Sequence, residues 1–244
     1  LMMECEATGL IEHQDEVTGV RARTANGDID IATKLVVGAD GRHSRIRSAA
    51  GLEIIDLSAP MDVLWLRLSK KPGDPALSVG RFDAGRLLVQ IDRGDYWQCA
   101  FVITKGSFDA VRQRGLDALR AEIARLAPHL ADRVGELTTW DDVKLLTVAV
   151  DRLKRWSKPG LLCIGDAAHA MSPIGGVGIN LAIQDAVAAA NLLYRPLKLG
   201  RVSASALDHV QRRRERPTRL TQGIQVTVQN RVIDPLLAAP GKLS

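Results

Sequence analysis

GDAAHAMSPIGGVGIN, residues 165–180, lies between an apolar run at residues 161–164 and a small-residue pattern with helical spacing at residues 181–193. The apolar run predicts a buried strand, and the glycines predict a turn that opens a helix. Ligands of open α/β sheets bind outside the carboxyl ends of strands, where Asp166 would stand. Glycine main chain allows a flat ligand to approach closely, and the free N–H groups of a helix N-terminus favour negative charge.

A second strand and turn occur earlier in the chain. Residues 34–38 form a short, mostly apolar run, and Asp40-Gly41 follows it with residues typical of a turn. Ser44 is placed to cap a helix that would contain Arg47. The sequence therefore predicts two turns that each lead from a strand into a helix.

The two turns together resemble the flavin-contacting motifs of the FAD-dependent aromatic hydroxylases, the para-hydroxybenzoate hydroxylase-like flavoprotein monooxygenases. One motif of that family reads Gly-Asp-Ala-Ala-His, Pro, Gly-x-Gly-x-Asn and a helix with Asp-Ala, and the other reads Ala-Asp-Gly-x-x-Ser-x-x-Arg. Val177 departs from the family, in which glutamine is frequent at this position. By this resemblance the cofactor-binding residues are Asp40, Gly41, Arg47, Gly165, Asp166, Pro173, Gly176, Val177, Gly178, Ile179 and Asn180.

The resemblance implies an enzyme that binds FAD and uses NAD(P)H and O2 to hydroxylate an aromatic or similar cyclic small molecule. Two alternatives stay open: a flavoprotein reductase or oxidase on the same scaffold, and an inactive chain that cannot hold FAD alone. The catalytic side chains stay unassigned, because in such enzymes the cofactor carries the redox chemistry. His169 is expected to pack or form a hydrogen bond, and Asp185 to tether the glycine turn or a neighbouring helix.

The implied fold is α/β, a partial Rossmann-like FAD-binding domain with an inserted, mostly antiparallel β-sheet substrate domain. Residues 1–59 are expected to form the first part of the FAD-binding domain. Residues 60–150 are expected to form the sheet and helix of the substrate domain. Residues 151–244 would complete the FAD-binding domain and add C-terminal helices.

Local patterns predict the elements of the middle and C-terminal regions. Alternating segments within residues 63–104 predict strands, and the apolar spacing of residues 107–126 predicts a helix. Residues 143–150 predict a further strand. Pro217 is expected to break or kink a helix near the C-terminus.

The family's Gly-x-Gly-x-x-Gly motif, which holds the ADP pyrophosphate after a first strand, does not occur in the sequence. The nearest string begins at Gly176 and ends in Leu181. We therefore expect the chain to be the C-terminal part of a larger flavoprotein, without a first βαβ unit of at least ~30 residues. Alone, it is expected to bind FAD weakly or not at all.

Composition sets broad limits on the class of protein. With 244 residues, 46% of them hydrophobic and 25% charged, the chain is typical of a soluble protein, and no apolar run reaches the ~20 residues that cross a bilayer. The three cysteines and five histidines lack metal-ligand spacing, which predicts no metal site. Three cysteines without redox spacing also fit a cytoplasmic location.

The net charge of +5 comes without a nucleic-acid motif, so the basic run at residues 211–216 is expected to be a solvated helix face. The expected partner is a small aromatic substrate, and a homo-oligomer is left open.

Overall fold

A computed structural model describes residues 1–83 and 85–238 of the chain. The chain divides into two compact units, each with a hydrophobic core of its own. Unit 1 comprises Leu1–Ser58 and Ala149–Gln225. Unit 2 comprises Ala59–Val148 and the residues from Val226 onward.

The secondary structure of the described residues is mixed, with strands concentrated in the first two thirds of the chain. The strands are β1 (Glu6–His13), β2 (Glu16–Thr24), β3 (Gly27–Ala32), β4 (Val36–Gly38), β5 (Ile54–Asp56), β6 (Met61–Ser69), β7 (Val79–Asp83), β8 (Arg86–Asp92), β9 (Tyr96–Thr104), β10 (Lys144–Leu146), β11 (Asp151–Leu153), β12 (Ser157–Lys158) and β13 (Leu161–Cys163). The α-helices are α1 (Arg45–Ala49), α2 (Phe108–Gln113), α3 (Leu116–Leu126), α4 (Gly178–Lys198), α5 (Ala204–Val228) and α6 (Asp234–Ala238).

Unit 1 combines three small sheets with the two longest helices. β1, β2 and β3 form an antiparallel sheet, β5 pairs with β11, and the third sheet has the order β12–β13–β4. β4 and β13 run parallel, with Val36 opposite Leu161 and Gly38 opposite Cys163. All three residues of β13 are fully buried, as expected of a parallel strand that is covered on both faces.

Unit 2 is an antiparallel sheet with the strand order β10–β6–β9–β8–β7, packed against α3. Alternate residues of β6, which are Leu64, Leu66 and Leu68, face the core because successive side chains of a strand point to opposite faces. Ile123 and neighbouring apolar residues of α3 complete that core. The expected α/β class, with a mostly antiparallel sheet in the middle of the chain, is confirmed.

Three local expectations need correction. Residues 107–126 form two helices, because Gly115 takes a φ of +87°, which interrupts the helix and which glycine adopts readily. Residues 143–150 form a strand only at Lys144–Leu146, which pairs with β6. Pro217, which was expected to break or kink its helix, does not break it, because α5 continues through it to Val228.

The C-terminal residues were expected to belong with residues 151–225, but from Val226 onward they group with unit 2. The reason is packing. A π-helical turn at Gln229–Ile233 leads into α6, which contacts β8 and β9, and the Gly85 N–H donates to the Leu236 carbonyl at 3.1 Å. Residues 239–244 lie outside the described residues.

The helical stretch Ile174–Lys198 is long and apolar enough to cross a membrane by length and composition. Within unit 1 only one face of this stretch is buried. Leu181 and Leu193 lie on that face, and the buried carboxylate of Asp185 lies between them with polar partners of its own. Other apolar side chains of the same helix are exposed, among them Ile179, Ile183, Val187 and Tyr194.

A buried ion pair holds the loop between β6 and β7 in unit 2. The Arg133 guanidinium donates to both oxygens of Asp74, at 2.5 and 3.0 Å, and the two side chains are 4% and 7% exposed. The Trp97 indole and the Lys71 N–H also donate to this carboxylate. The hydrogen bonds from Arg133 hold the pKa of Asp74 well below its usual range, although burial opposes that shift.

We predict that Asp74→Ala lowers the free energy of unfolding by about 3 kcal/mol at neutral pH, because it removes the bidentate, buried partner of Arg133 and leaves this guanidinium with only the half-exposed Asp132 carboxylate and two main-chain carbonyls. Since the folded pKa is depressed, the stabilisation is present above the unfolded pKa of about 3.9 and is lost as pH falls through the folded pKa. Urea unfolding at pH 7 and pH 3 should show a smaller acid-induced loss in the variant than in the parent protein. Asp95→Ala, which removes an exposed pair with Arg67, is the control, and equal losses for both variants would contradict the prediction.

Candidate functional site

Two loops of unit 1 meet at one end of the β4–β13 pair. Since the two strands are parallel neighbours, their carboxyl ends lie at the same edge of the sheet. The first loop runs from Gly38 through Asp40 and Gly41 into α1, and the second runs from Ile164 through Gly165 and Asp166. This edge is where α/β sheets bind their ligands.

The first loop is closed by its own side chains. The Asp40 carboxylate accepts from the Ser44 hydroxyl at 2.6 Å and from the Ile46 N–H at 3.1 Å. Ser44 in turn caps α1 by accepting from the Arg47 N–H at 2.9 Å, and Gly41 has a φ of +82°. Both oxygens of Asp40 are therefore engaged within the loop, and its contact with a cofactor stays a prediction.

Arg47 fixes this loop to the rest of unit 1. Its guanidinium donates to both oxygens of Asp151, at 3.0 and 3.2 Å, and to the carbonyl of Arg42 at 2.6 Å. The Arg47 and Asp151 side chains are 7% and 11% exposed. A bidentate, buried pair of this kind is strong and directional. Arg47 therefore fixes the Asp-Gly loop, and its contact with a cofactor stays a prediction.

The second loop presents the Asp166 carboxylate at the end of β13. Gly165 has a φ of +59°, and a Cβ there would lie 3.0 Å from the Ala182 side chain, so the turn requires glycine. The Asp166 side chain is 29% exposed and lies 3.4 Å from a guanidinium nitrogen of Arg42. Its carboxylate is therefore accessible to hydroxyl or N–H donors.

Arg42 is the site residue that the sequence analysis missed. It lies in the Asp-Gly loop, 124 residues from Asp166, and reaches across the edge of the sheet to that carboxylate. Its Nη1 atom is buried and has no partner among the described residues. An arginine directly after Asp-Gly was the available signal, but only the parallel pairing of β4 and β13 brings it to Asp166.

The glycine turn leads from Pro173 into the N-terminus of α4. Gly175 and Gly176 have φ values of +77° and +62°, and a Cβ on Gly176 would meet open space. Val177 is at the N-cap position of α4, and no side chain there accepts a hydrogen bond from the first N–H groups of the helix. The first N–H groups of a helix have no partner within the helix, so this N-terminus favours negative charge or a polar ligand edge.

The remaining predicted residues lie at this helix N-terminus. Gly178 begins α4, and a Cβ there would make only ordinary contact with Met171, at 3.4 Å. Ile179 and Asn180 follow in the first turn and are exposed. The structure thus gathers the predicted residues into two groups, the paired loops at the strand ends and the glycine turn with the start of α4.

Asp185 joins these two groups from the buried side. Its carboxylate accepts from the Gly165 N–H at 3.1 Å, lies 2.5 Å from Nε2 of His169, and accepts from Arg214 at 2.8 Å. Burial raises the pKa of Asp185, but the hydrogen bonds from His169, Arg214 and Gly165 outweigh it, so the pKa ends below its usual value. Of the two expected roles of Asp185, the tether to a neighbouring helix is the one observed, through Arg214 of α5. His169 is fully buried against Trp156, a packing and hydrogen-bonding role.

The fold and this edge of the sheet define an α/β protein that can hold a flat, polar cofactor. The chain matches the family "FAD binding domain" over residues 1–223. It belongs to that family, which confirms the resemblance to the FAD-dependent aromatic hydroxylases and identifies FAD as the cofactor.

The chain is also similar in sequence and in fold to individual monooxygenases and hydroxylases. The chain is 35% identical to 6-methylpretetramide 4-monooxygenase of Streptomyces rimosus over 234 residues, which are 93% of this chain and 54% of that protein. It is 30% identical to 3-demethoxyubiquinol 3-hydroxylase of Escherichia coli, over 72% of this chain and 44% of that protein. The fold matches the crystal structure of PqsL, a probable FAD-dependent monooxygenase from Pseudomonas aeruginosa, with a TM-score of 0.73 and 22% identity, over 96% of this chain and 64% of that one. The chain spans about half the length of these curated relatives.

Four features at the edge of the sheet and at the start of α4 fit FAD. Asp166 offers a carboxylate to hydroxyl groups, and the open space at Gly176 admits a flat ring beside the main chain. The uncapped N-terminus of α4 offers N–H donors, and the buried Nη1 atom of Arg42 lacks an acceptor among the described residues. Both hydrogen-bond donors and a carboxylate acceptor are therefore available to the cofactor.

We predict that Asp166→Ala lowers the FAD affinity of the full-length protein by at least about tenfold, or about 1.4 kcal/mol. The reason is that a hydrogen bond to a charged group contributes roughly 1.5–3 kcal/mol. Titration of flavin fluorescence would measure the affinity, and circular dichroism would check the fold. Asp30→Ala, which removes an exposed carboxylate of the same unit, is the control. Equal affinity of the Asp166 variant and the parent protein would rule out this role.

We predict that Gly176→Val weakens FAD binding more than it destabilises the protein. A side chain there enters open space beside the glycine turn, where the ring would approach, and also adds the strain of a positive φ. Gly51→Val isolates the strain, because Gly51 has a φ of +65° and a Cβ there also meets open space. The two variants should lose similar stability in urea unfolding, and only Gly176→Val should lose affinity. A normal flavin spectrum and affinity in that variant would refute the close approach.

Proposed function

We propose that the protein is an FAD-dependent monooxygenase that uses NAD(P)H and O2 to hydroxylate an aromatic or similar cyclic small molecule. The observation that carries the proposal is the pairing of two loops at one sheet edge, with Arg42 beside Asp166, next to the uncapped glycine turn of α4. The names of the relatives support the reaction class, since one is a 4-monooxygenase and another a 3-hydroxylase. When bound, FAD would supply the redox chemistry between NAD(P)H, O2 and the substrate.

In this proposal the chain's own residues bind and orient the cofactor. Asp166 would accept hydrogen bonds from hydroxyls of the ribityl chain, and Gly41 with Arg47 shapes the loop beside it. Pro173 sets the direction of the turn that follows. The main chain at residues 176–180 would hold the flavin ring, and the helix N-terminus there favours negative charge.

A cytoplasmic location belongs to the same proposal. The three cysteines are free, and Cys99 and Cys163 are buried. Burial raises the pKa of both buried thiols to about 12, so they are protonated and unreactive at neutral pH. Unpaired thiols are the norm in reducing compartments.

The test is oxygen transfer by the FAD-loaded protein. With NADH or NADPH and a panel of phenolic and polycyclic aromatic compounds, we expect O2 uptake matched by product that carries one atom of ¹⁸O from labelled O2. Product formation in the absence of O2, without added oxygen, would instead identify a reductase. Failure of the full-length protein to bind FAD would refute an enzymatic role, and comparing the two nicotinamide cofactors gives the preferred electron donor.

A further inference from the structure

One face of α5 carries polar side chains that are buried inside unit 1. Arg214, Thr218, Gln222 and Gln225 recur at the three- and four-residue spacing of a single helix face, and each is at most 8% exposed. Burying polar side chains is costly unless each finds a hydrogen-bond partner. Arg214 binds Asp185, and Thr218 bonds back to the carbonyl of Arg214 within the helix.

The two glutamines of this face have main-chain partners. Gln222 donates through Nε2 to the carbonyls of Asp151 and Ala170, at 2.8 and 3.0 Å. Gln225 donates through Nε2 to the carbonyls of Ser172 and Ile174, at 3.0 and 2.7 Å. Each side-chain amide thus donates its two N–H hydrogens to two different main-chain carbonyls.

The segment that Gln225 contacts is buried at Met171 and Ser172, but its other hydrogen bonds among the described residues are local, such as the one from the Gly176 N–H to the Pro173 carbonyl at 3.0 Å. Residues 171–173 belong to no helix or strand, and Pro173 has no N–H to donate. The Ile174 N–H bonds locally to the Ser172 hydroxyl, at 3.3 Å. Directly after this segment come Gly175 and Gly176, which have no side chains to pack and take positive φ values.

We infer that Gln225 is a positioning residue for the proposed FAD site. By holding the carbonyls on both sides of Pro173, its amide fixes the direction in which the chain enters the glycine turn. The main chain at Gly176 is thereby held where the flavin ring would lie. Gln225 acts through this turn and not by touching the cofactor, and the inference rests on the proposed function.

Gln222 provides a matched control for the experiment. The variants Gln225→Met and Gln222→Met each replace a buried glutamine of the same helix face with a side chain of similar length that cannot donate. Flavin fluorescence titration would give FAD affinity, circular dichroism in the visible flavin bands would report the environment of the ring, and urea unfolding would give stability. We expect similar losses of stability, but only Gln225→Met should weaken FAD binding by about tenfold or more and alter the visible bands, while Gln222→Met stays within about twofold.

Three outcomes would overturn the inference. They are FAD affinity of Gln225→Met within about twofold of the parent protein, equal loss of affinity in both variants, and an unchanged flavin dichroism spectrum in Gln225→Met. If Gln225→Met does not fold, Gln225→Asn keeps the amide but is one methylene shorter and should show the same selective loss. All variants are made in the full-length protein. If the full-length parent protein binds no FAD, the proposed function itself is refuted, and the parent titration reveals this before any variant is compared.

Discussion

The buried carboxylate of Asp185 joins three separate segments of unit 1. Its partners are the Gly165 N–H at the end of β13, the His169 ring that follows, and the Arg214 guanidinium on α5. The Asp185 side chain has no solvent exposure. An unpaired charge in such a place costs several kcal/mol, so α4 can pack only when all three segments reach it together. The position of the strand-end turn is therefore tied to the packing of the two long helices.

Polar anchoring of this kind is what a glycine-rich site needs. Loops that must let a ligand approach their main chain cannot carry large side chains, and so they gain little from apolar packing. Unit 1 holds them through main-chain atoms instead. Asp185 holds the Gly165 N–H, Arg47 holds the Arg42 carbonyl, and Gln225 holds the carbonyls on both sides of Pro173. Each anchor is buried, so the atoms on the open side of the loops stay available to a ligand.

The sequence allowed the local structure of the site to be predicted, because its signals are local. Apolar runs, glycines and the Ser44 cap lie within a few residues of the turns that they specify. Contacts between segments that are far apart in the sequence leave no local pattern from which they could be predicted. The Arg42–Asp166 contact joins residues 124 apart, and the bonds of Gln225 to Ser172 and Ile174 join residues about fifty apart.

The same limit explains the error at Pro217. Proline removes one helix hydrogen bond at a cost of about 3 kcal/mol, which predicts a break when only the local sequence is considered. In the fold, Arg214 on one side of it is bonded to Asp185, and Gln222 on the other side to two carbonyls. These tertiary contacts fix residues on both sides of Pro217, and the helix continues through it.

Two arginine–aspartate pairs involve the Asp-Gly loop, and they differ in burial and geometry. One pair fixes the loop, and the other is open to a ligand. The Arg47–Asp151 pair is bidentate and buried, so a ligand cannot displace it without leaving a buried charge unpaired. The Arg42–Asp166 pair has a single contact of 3.4 Å, and its side chains are 24% and 29% exposed. Pairs of that kind contribute only about 0–1 kcal/mol, so hydroxyl groups of a ligand can replace Arg42 at Asp166 at little cost. One pair therefore keeps the loop in place, while the other can exchange its partner when the cofactor binds.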